Sequence, residues 1–544
     1  MTLLNALDQS GYQTAMSGLR VMKASDRYND QQLRLGLVLL QAQGVLRISH
    51  INDQPVEEWG IPLDTARRPD EDTLDQYLKH LIGLDEANSL SSIEDRLGQI
   101  CPGGLIDSAQ QESLRCWAEA GLLEGEVWYF DDHVVEYTGQ AKLGKTKHGT
   151  KHISVKAVNR YTLSNGLGSL SEYFPLSVSY AEALRQLVSK ANHCLSPAYR
   201  IRKLSFDRAG WDAELFTWLR EEQDIIPITW VKRTSINVKL LDEIADEAFV
   251  DLEQGMTVGK DGQHQAVRLA DTTLDFPSLG TQRVVVLETQ AQKRIGIYTT
   301  ALHPRQTSLE DQRVMTTCGL VDTMRFKQRV ENVFKVDVHE MESDAIPTHT
   351  TFEATLTEPY DLAQGERQRN NASKRLVKYA AQAQEQQQLR DTKQLDSHQF
   401  NLLSKRTQRL RHKAEREIET ISQELDHIYQ DESGQTVLST STQVLDVRKL
   451  TLLNLFKTHA LVALKILARQ LGLAEAGPKR LRRTFLAFGD RVEFDHEQRI
   501  VTVYARHFPR ASTQQAYERL CGLLHDVPIT LTRNGVSYRV RFSW

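Results

Sequence analysis

The sequence contains no uninterrupted apolar stretch of membrane-spanning length. The run that comes nearest, Leu450–Leu471, is broken by Lys457, His459, Lys465 and Arg469. A secretory leader is also missing: Met1-Thr2-Leu3-Leu4 leads into Asp8 with no basic start and no small-residue cleavage site, so a cytoplasmic protein is expected. Cysteine is scarce. Five residues (Cys101, Cys116, Cys194, Cys318, Cys521), odd in number and far apart, form neither a disulfide framework nor a paired metal knuckle. There is no excess of positive charge either: 67 Lys and Arg face 71 Asp and Glu, a net charge of -4, so the chain as a whole is not built to be coated in nucleic acid. What is present, 40% hydrophobic and 25% charged residues over 544 positions, is the composition of a soluble globular protein of about three or four domains.

Residues 1–120 read as a helical domain. Gln31–Gln43 is apolar-periodic, Asp70–Leu84 opens with an acidic cap after Pro69, and Asn88–Ile100 and Gln110–Ala120 continue the pattern. Two roles stay open for it: helix-turn-helix DNA binding, or a helical cap on the next domain. Residues 121–233 change character. Val127–Phe130, Val134–Tyr137 and His152–Val158 are β-rich, and then come a helix at Tyr180–Ala191, a strand at Arg202–Phe206, a helix at Trp211–Glu222 and a strand at Ile225–Val231. Three antiparallel strands followed by two parallel ones is the order of a ribonuclease-H-like mixed sheet. Residues 234–305 interrupt the alternation with β-type runs (Arg283–Glu288, Arg294–Thr300) and read as an insertion, after which a helix centred on Val321–Lys335 completes the core over 306–345. Residues 362–430 are long charged helices. Within Gly365–Lys413, twelve Lys or Arg stand against four Asp or Glu, a local +8 inside an acidic chain. Such a span is either a solvated hairpin or an arm that follows phosphates. The last segment, 436–544, has a helix at Val447–Leu471 and strands at Phe485–Phe494, Arg499–Ala505, Ile529–Thr532 and Ser537–Ser543, an α+β module.

Three acids stand out by placement. Asp131 is expected to end the first strand, Asp207 ends the fourth, and Glu331 lies on the helix after the insertion. Three bare carboxylates at close range raise one another's pKa, and divalent cations with a taste for hard oxygen relieve the conflict, which points to two Mg²⁺ or Mn²⁺ ions and phosphodiester chemistry. The run Trp128-Tyr129-Phe130-Asp131-Asp132-His133-Val134-Val135-Glu136-Tyr137-Thr138-Gly139 resembles the first-aspartate strand of bacterial insertion-sequence DDE transposases that carry a β-rich insertion. Phe206-Asp207-Arg208-Ala209-Gly210 is similar to their second block, Ile228–Arg233 to the strand ending in Lys-Arg, and Arg329-Val330-Glu331-Asn332-Val333-Phe334-Lys335 to the third-acid block. Asp132 stands where that family has Gly, and Val330 and Met324 occupy a region where it has Gln and Trp.

The resemblance implies that Asp131, Asp207 and Glu331 bind the two cations. It also implies double-stranded DNA, both element ends and target, as the partner, handled by a homodimer in a bacterial cytoplasm at the nucleoid. Basic residues expected on DNA are Lys142, Lys145, Lys147, Lys232, Arg233, Arg325, Arg329, Lys335, Lys374, Arg375, Lys405, Arg406 and Arg409. A hydrolysis-only nuclease and a catalytically silent DNA-binding descendant are the alternatives. The string Gly139–Thr146 satisfies a P-loop pattern, but Gly and β-branched residues follow it, so a loop into a strand is expected rather than a nucleotide-binding helix. His133, His148 and His152 lack ligand-spaced partners and read as solvated. Trp211 and Trp218, seven residues apart on one helix, read as core.

Overall fold

The computed structural model describes residues 2–19, 27–43, 48–53, 69–89, 104–123, 125–140, 143, 145–147, 154–165, 168–258, 264–304, 313–326, 351–359, 362–392, 394, 396–426, 428–430, 436–473, 489–505, 514–516, 518–519, 522, 530–533 and 536–543. The chain begins with helices α1 (Thr2–Gln9), α2 (Tyr12–Ala15), α3 (Asp30–Gln43), α4 (Glu71–Ser89) and α5 (Gly104–Glu119). Asp70 caps α4 by accepting the Thr73 amide at 2.8 Å, satisfying one of the donors that a helix start leaves open. Leu33, Leu37 and Leu40 of α3 and Leu74, Leu78 and Leu81 of α4 are buried at helical spacing and build the core between them.

Next come β1 (Val127–Glu136), β2 (Lys145–Lys147), β3 (Ser154–Asn165), β4 (Gly168–Phe174), α6 (Tyr180–Cys194), β5 (Lys203–Phe206), α7 (Ala213–Glu221) and β6 (Ile226–Trp230). β4, β3 and β1 pair antiparallel, and β1, β5 and β6 pair parallel, giving the order β4-β3-β1-β5-β6. This large mixed sheet is compatible with the ribonuclease-H-like order, but it is reached by different strands. The runs Val127–Phe130 and Val134–Tyr137, expected as two strands, belong to one. The register with β3 is unbroken from Tyr129↔Ser164 through Asp131↔Thr162 and His133↔Arg160 to Glu136↔Ala157. Asp131-Asp132-His133 looks like a turn because Asp is depleted from strands, yet it holds no Gly or Pro and every residue finds its place on the ladder. Asp131 therefore sits inside a strand, not at its end. The missing hairpin is β3–β4, closed at Asn165↔Gly168, and the third expected strand runs on to Asn165. β2 pairs with β3, so the P-loop-like string ends in a strand.

After β6 come α8 (Ser235–Asp242), capped by Thr234, and an antiparallel meander of β7 (Val250–Val258), β8 (His264–Phe276), β9 (Gly280–Thr289) and β10 (Arg294–Thr299). β10 lies antiparallel to β6, so the meander extends the same sheet, in the order β6-β10-β9-β8-β7. Helix α9 (317–326) covers one face, its Leu320, Val321 and Met324 packing on Ile226, Ile228, Val285 and Ile297. The other face carries α6 and α7, where Trp128, Phe130, Leu204 and Phe206 meet Leu184, Leu187 and Phe216. Trp211 joins this side, edge-on to Phe216, Phe276 and Tyr298.

Strand β11 (Thr351–Pro359) leads into α10 (Leu362–Asp391) and α11 (Ser397–Asp426), two 30-residue helices packed as an antiparallel hairpin. The chain returns through β12 (Ile428–Gln430) and β13 (Thr436–Leu445), and β13 pairs with both β11 and β12. Helix α12 (Arg448–Gln470) is long and apolar enough to cross a bilayer by length and composition, but most of it is buried. It packs against α1 and α3, and Leu452, Phe456 and Ala460 share one core with Leu37 and Trp117. A four-stranded sheet of β14 (Gly489–Asp495), β15 (Ile500–Ala505), β16 (Thr530–Arg533) and β17 (Val536–Ser543) ends the described chain, in the order β14-β15-β17-β16.

Candidate active site at the ends of the parallel strands

The parallel register places the first two acids side by side. β1 and β5 match Tyr129 to Ser205, so two residues on, Asp131 is level with Asp207; β5 and β6 match Phe206 to Thr229, so Trp230 is level with Asp207. Alternation along each strand sends Asp131 to the face of Tyr129, and Asp207 to the face of Ser205 and Ile228. That face is the one α9 covers: the Ser205 hydroxyl lies 3.4 Å from the Met324 sulfur, and the Tyr129 and Phe326 rings are 5.4 Å apart. Asp132, the next residue, is exposed and alternates to the opposite face.

The Asp207 carboxylate also does local work. It accepts the Arg208 amide at 2.8 Å and caps the 3-10 turn Arg208–Gly210, with the Arg208 guanidinium 3.9 Å away. The side chain stays 43% exposed, so one cap bond leaves oxygen lone pairs for another ligand.

Tyr180, at the start of α6, ties the middle of β1 to the end of β5. Its hydroxyl accepts the Asp207 amide at 3.2 Å and donates to the Phe130 carbonyl at 3.4 Å. Burial pushes this phenol well above its ordinary pKa, and the charges of Asp131 and Asp132 push in the same direction, so it stays a protonated donor. A Cβ at Gly210 would come within 2.8 Å of Phe206 and 2.9 Å of Tyr180, so only glycine lets the turn close over this tyrosine. The sequence offered Tyr180 only as a helix residue; nothing in its spacing marked it as a link.

A second clamp holds the start of α9. Arg283 forms a two-pronged pair with Asp271 (3.0 and 2.6 Å) and donates to the carbonyls of Leu302 and Met315, both at 2.9 Å. Thr317, the first residue of α9, donates to the same Asp271 at 2.5 Å. Burial alone would raise the Asp271 pKa, but the Arg283 and Thr317 hydrogen bonds outweigh it and hold the carboxyl below its usual range.

Glu331 lies outside the described residues, as do Lys142, Arg329 and Lys335. Among the described residues no group of three His, Cys, Asp or Glu gathers as a metal site. Asp131, inside β1, and Asp207, just past the end of β5, nonetheless fit as two hard oxygen donors on neighbouring strands, the kind of set a Mg²⁺-sized ion takes. Lys145 is exposed on β2, which also contains Lys147; Lys232 and Arg233 are exposed just after β6. Arg325 is half-buried on α9, 3.5 Å from Asp322. Lys374 and Arg375 are exposed on α10, and Lys405, Arg406 and Arg409 on α11, far along the chain from the two aspartates. Arg375 is paired across the hairpin with Glu417 at 2.5 Å.

No protein-family model matches this chain, and no curated protein is similar to it in sequence. Among solved structures it is similar to a piggyBac transposase in a synaptic complex with hairpin DNA. The identity is 9% and the TM-score 0.34, over 62% of this chain and 68% of that one.

Proposed function

We propose that this protein is a metal-dependent DNA transposase that cuts element ends and joins them to target DNA, with Asp131, Asp207 and Glu331 as its acidic triad. The observation that carries the proposal is the parallel register of β1 with β5, which, continued two residues past Tyr129↔Ser205, sets Asp131 inside β1 level with Asp207 just past the end of β5, on the face covered by the helix that precedes Glu331. Two carboxylates so placed are hard oxygen donors of the kind a divalent cation takes as ligands. Bound Mg²⁺ or Mn²⁺ would supply Lewis-acid stabilisation of the reacting phosphodiester oxygens.

The chain's own groups do the rest. Tyr180 fixes the spacing of the aspartates, and the Arg283–Asp271–Thr317 clamp fixes where α9 starts. Residues 121–233 and 306–345 form the catalytic core in this proposal, 234–305 its insertion, and 1–120 a helical unit beside it. The 362–430 hairpin contributes phosphate contacts, and two copies act together because two ends must be processed.

The test uses a plasmid carrying the gene with its native flanking DNA, purified protein and Mg²⁺. Strand-transfer products establish a transposase. Nicks or linear DNA without joining identify a nuclease, and DNA bound but uncut identifies a silent binder.

A further inference from the structure

A cavity of about 320 Å³ is bordered by Arg208, the residue that follows Asp207, and the charged residues of its lining are mostly basic. Arg208, Lys232, Arg233 and Lys293 reach it from three separate elements: the turn after β5, the segment after β6 and the β9–β10 connection. Asp242 is the acid among its lining residues. Trp230, which the register places level with Asp207, forms part of its apolar wall.

Arg294 also borders this space, but it is spent: it pairs with Glu288 at 3.0 Å and Asp246 at 2.8 Å and donates to the carbonyls of Leu241 and Asp242 at the end of α8 and of Ile244 just beyond it. Arg208 leans toward Asp207. Lys232, Arg233 and Lys293 are exposed and form no side-chain ion pair with another of the described residues. With Asp242 as the acid in the lining, these cations leave the cavity a net positive charge, which attracts an anion. A cavity of this volume holds a phosphate together with the sugar or base attached to it, whose flat apolar faces suit a wall of Trp230 and aliphatic side chains.

We infer that this cavity is a phosphodiester subsite that grips a nucleic-acid strand next to the acidic centre, with Lys232, Arg233 and Lys293 as its phosphate contacts. The inference rests on the transposase proposal only for the identity of the strand. A continuous strand is favoured over a free nucleotide because Arg208, in the lining, directly follows Asp207 in the chain: a polymer occupies the cavity and the strand ends at once, and a single nucleotide does not.

The experiment measures binding, not cleavage. The full chain is titrated against a fluorescein-labelled random-sequence duplex over a range of salt concentrations, without divalent cations. The variant Lys232→Gln/Arg233→Gln/Lys293→Gln should flatten the slope of log affinity against log salt by about 2.7, since each phosphate contact contributes about 0.9. Asp242→Asn should change affinity the other way and tighten binding, an effect that misfolding does not produce. Inorganic phosphate and a nucleoside monophosphate should compete far less well than unlabelled duplex. Equal competition by the monophosphate would make the cavity a nucleotide site and overturn the strand assignment. An unchanged slope in a triple variant with wild-type thermal stability would overturn the subsite itself, even if the enzyme still transposes. A normal slope change in a protein that never cuts DNA would leave the subsite standing and remove the transposase proposal instead.

Discussion

Removing one oxygen should loosen the proposed site without touching either aspartate. Tyr180→Phe keeps the ring, which packs 5.1 Å from Phe130 and 5.8 Å from Tyr161 (centroid distances), so the core stays filled. What disappears is the hydroxyl between the Asp207 amide at 3.2 Å and the Phe130 carbonyl at 3.4 Å. An orphaned buried backbone group costs roughly 1–3 kcal/mol. Both bonds here are long and lie at a partly open strand end, so about 1–2 kcal/mol is the expected loss of stability. The larger effect should be on rate. Phe130 precedes Asp131, and the tyrosine spans from it to Asp207, so it sets the distance between the two carboxylates. A drift on the order of 1 Å between catalytic groups costs about 100-fold. Urea unfolding measures the first effect, and single-turnover cleavage of the plasmid measures the second, with DNA affinity at fixed salt as a control that should not move. Stability within about 0.5 kcal/mol of wild type and an unchanged cleavage rate would refute the positioning role.

Lys190→Met should cost about 3–5 kcal/mol, because it strands Glu172 (1% exposed) and Asp107 as facing carboxylates. With the cation gone the two facing carboxylates repel each other when charged, a penalty that protonation relieves, so unfolding midpoints should show a smaller loss at about pH 4 than at pH 7. Burial lowers the pKa of His459 from 6.5 to about 3 where it sits against Tyr12 and Trp117, bonded to Ser113 at 2.9 Å. Between those values the unfolded state binds the extra proton, so stability should drop by up to about 1.4 kcal/mol per unit of acidification. His459→Gln should remove that part of the slope. On the hairpin, Lys405→Gln/Arg406→Gln/Arg409→Gln should make the salt dependence of DNA binding shallower by about two to three units, while Arg375→Gln should do less because Glu417 already neutralises it.

Much of the architecture was legible because burial writes itself into periodicity. Gln31–Gln43, Tyr180–Ala191 and Val447–Leu471 match α3, α6 and α12 closely, and their apolar spacing is the face each presents to the core. The failures share a cause. Asp131-Asp132-His133 mimics a turn, and only the partner strand β3 reveals that the ladder runs through it. β4, with its mixed sequence Gly-Ser-Leu-Ser-Glu-Tyr-Phe, was invisible because its Glu172 is neutralised by Lys190, a contact made across 18 residues. The placement of α12 against α1 and α3 is long-range packing that no local pattern encodes. The neighbouring, parallel placement of β1 and β5 was readable from strand order, though not that Asp131 lies inside its strand; Tyr180 and the Arg283–Asp271 clamp were not readable at all. Their roles depend on which backbone groups they reach, and spacing carries no trace of that.

The acidic centre is tested most directly by Asp131→Asn and Asp207→Asn, each isosteric and each removing one charge, in the Mg²⁺-dependent plasmid reaction alongside DNA-binding titrations. Both should lose cleavage and joining by several orders of magnitude while affinity for the same DNA holds within a few-fold, and Asp132→Gly should stay active. Cleavage at the wild-type rate by either Asn variant, or loss confined to Asp132→Gly, would contradict the assignment of Asp131 and Asp207 as the reacting pair.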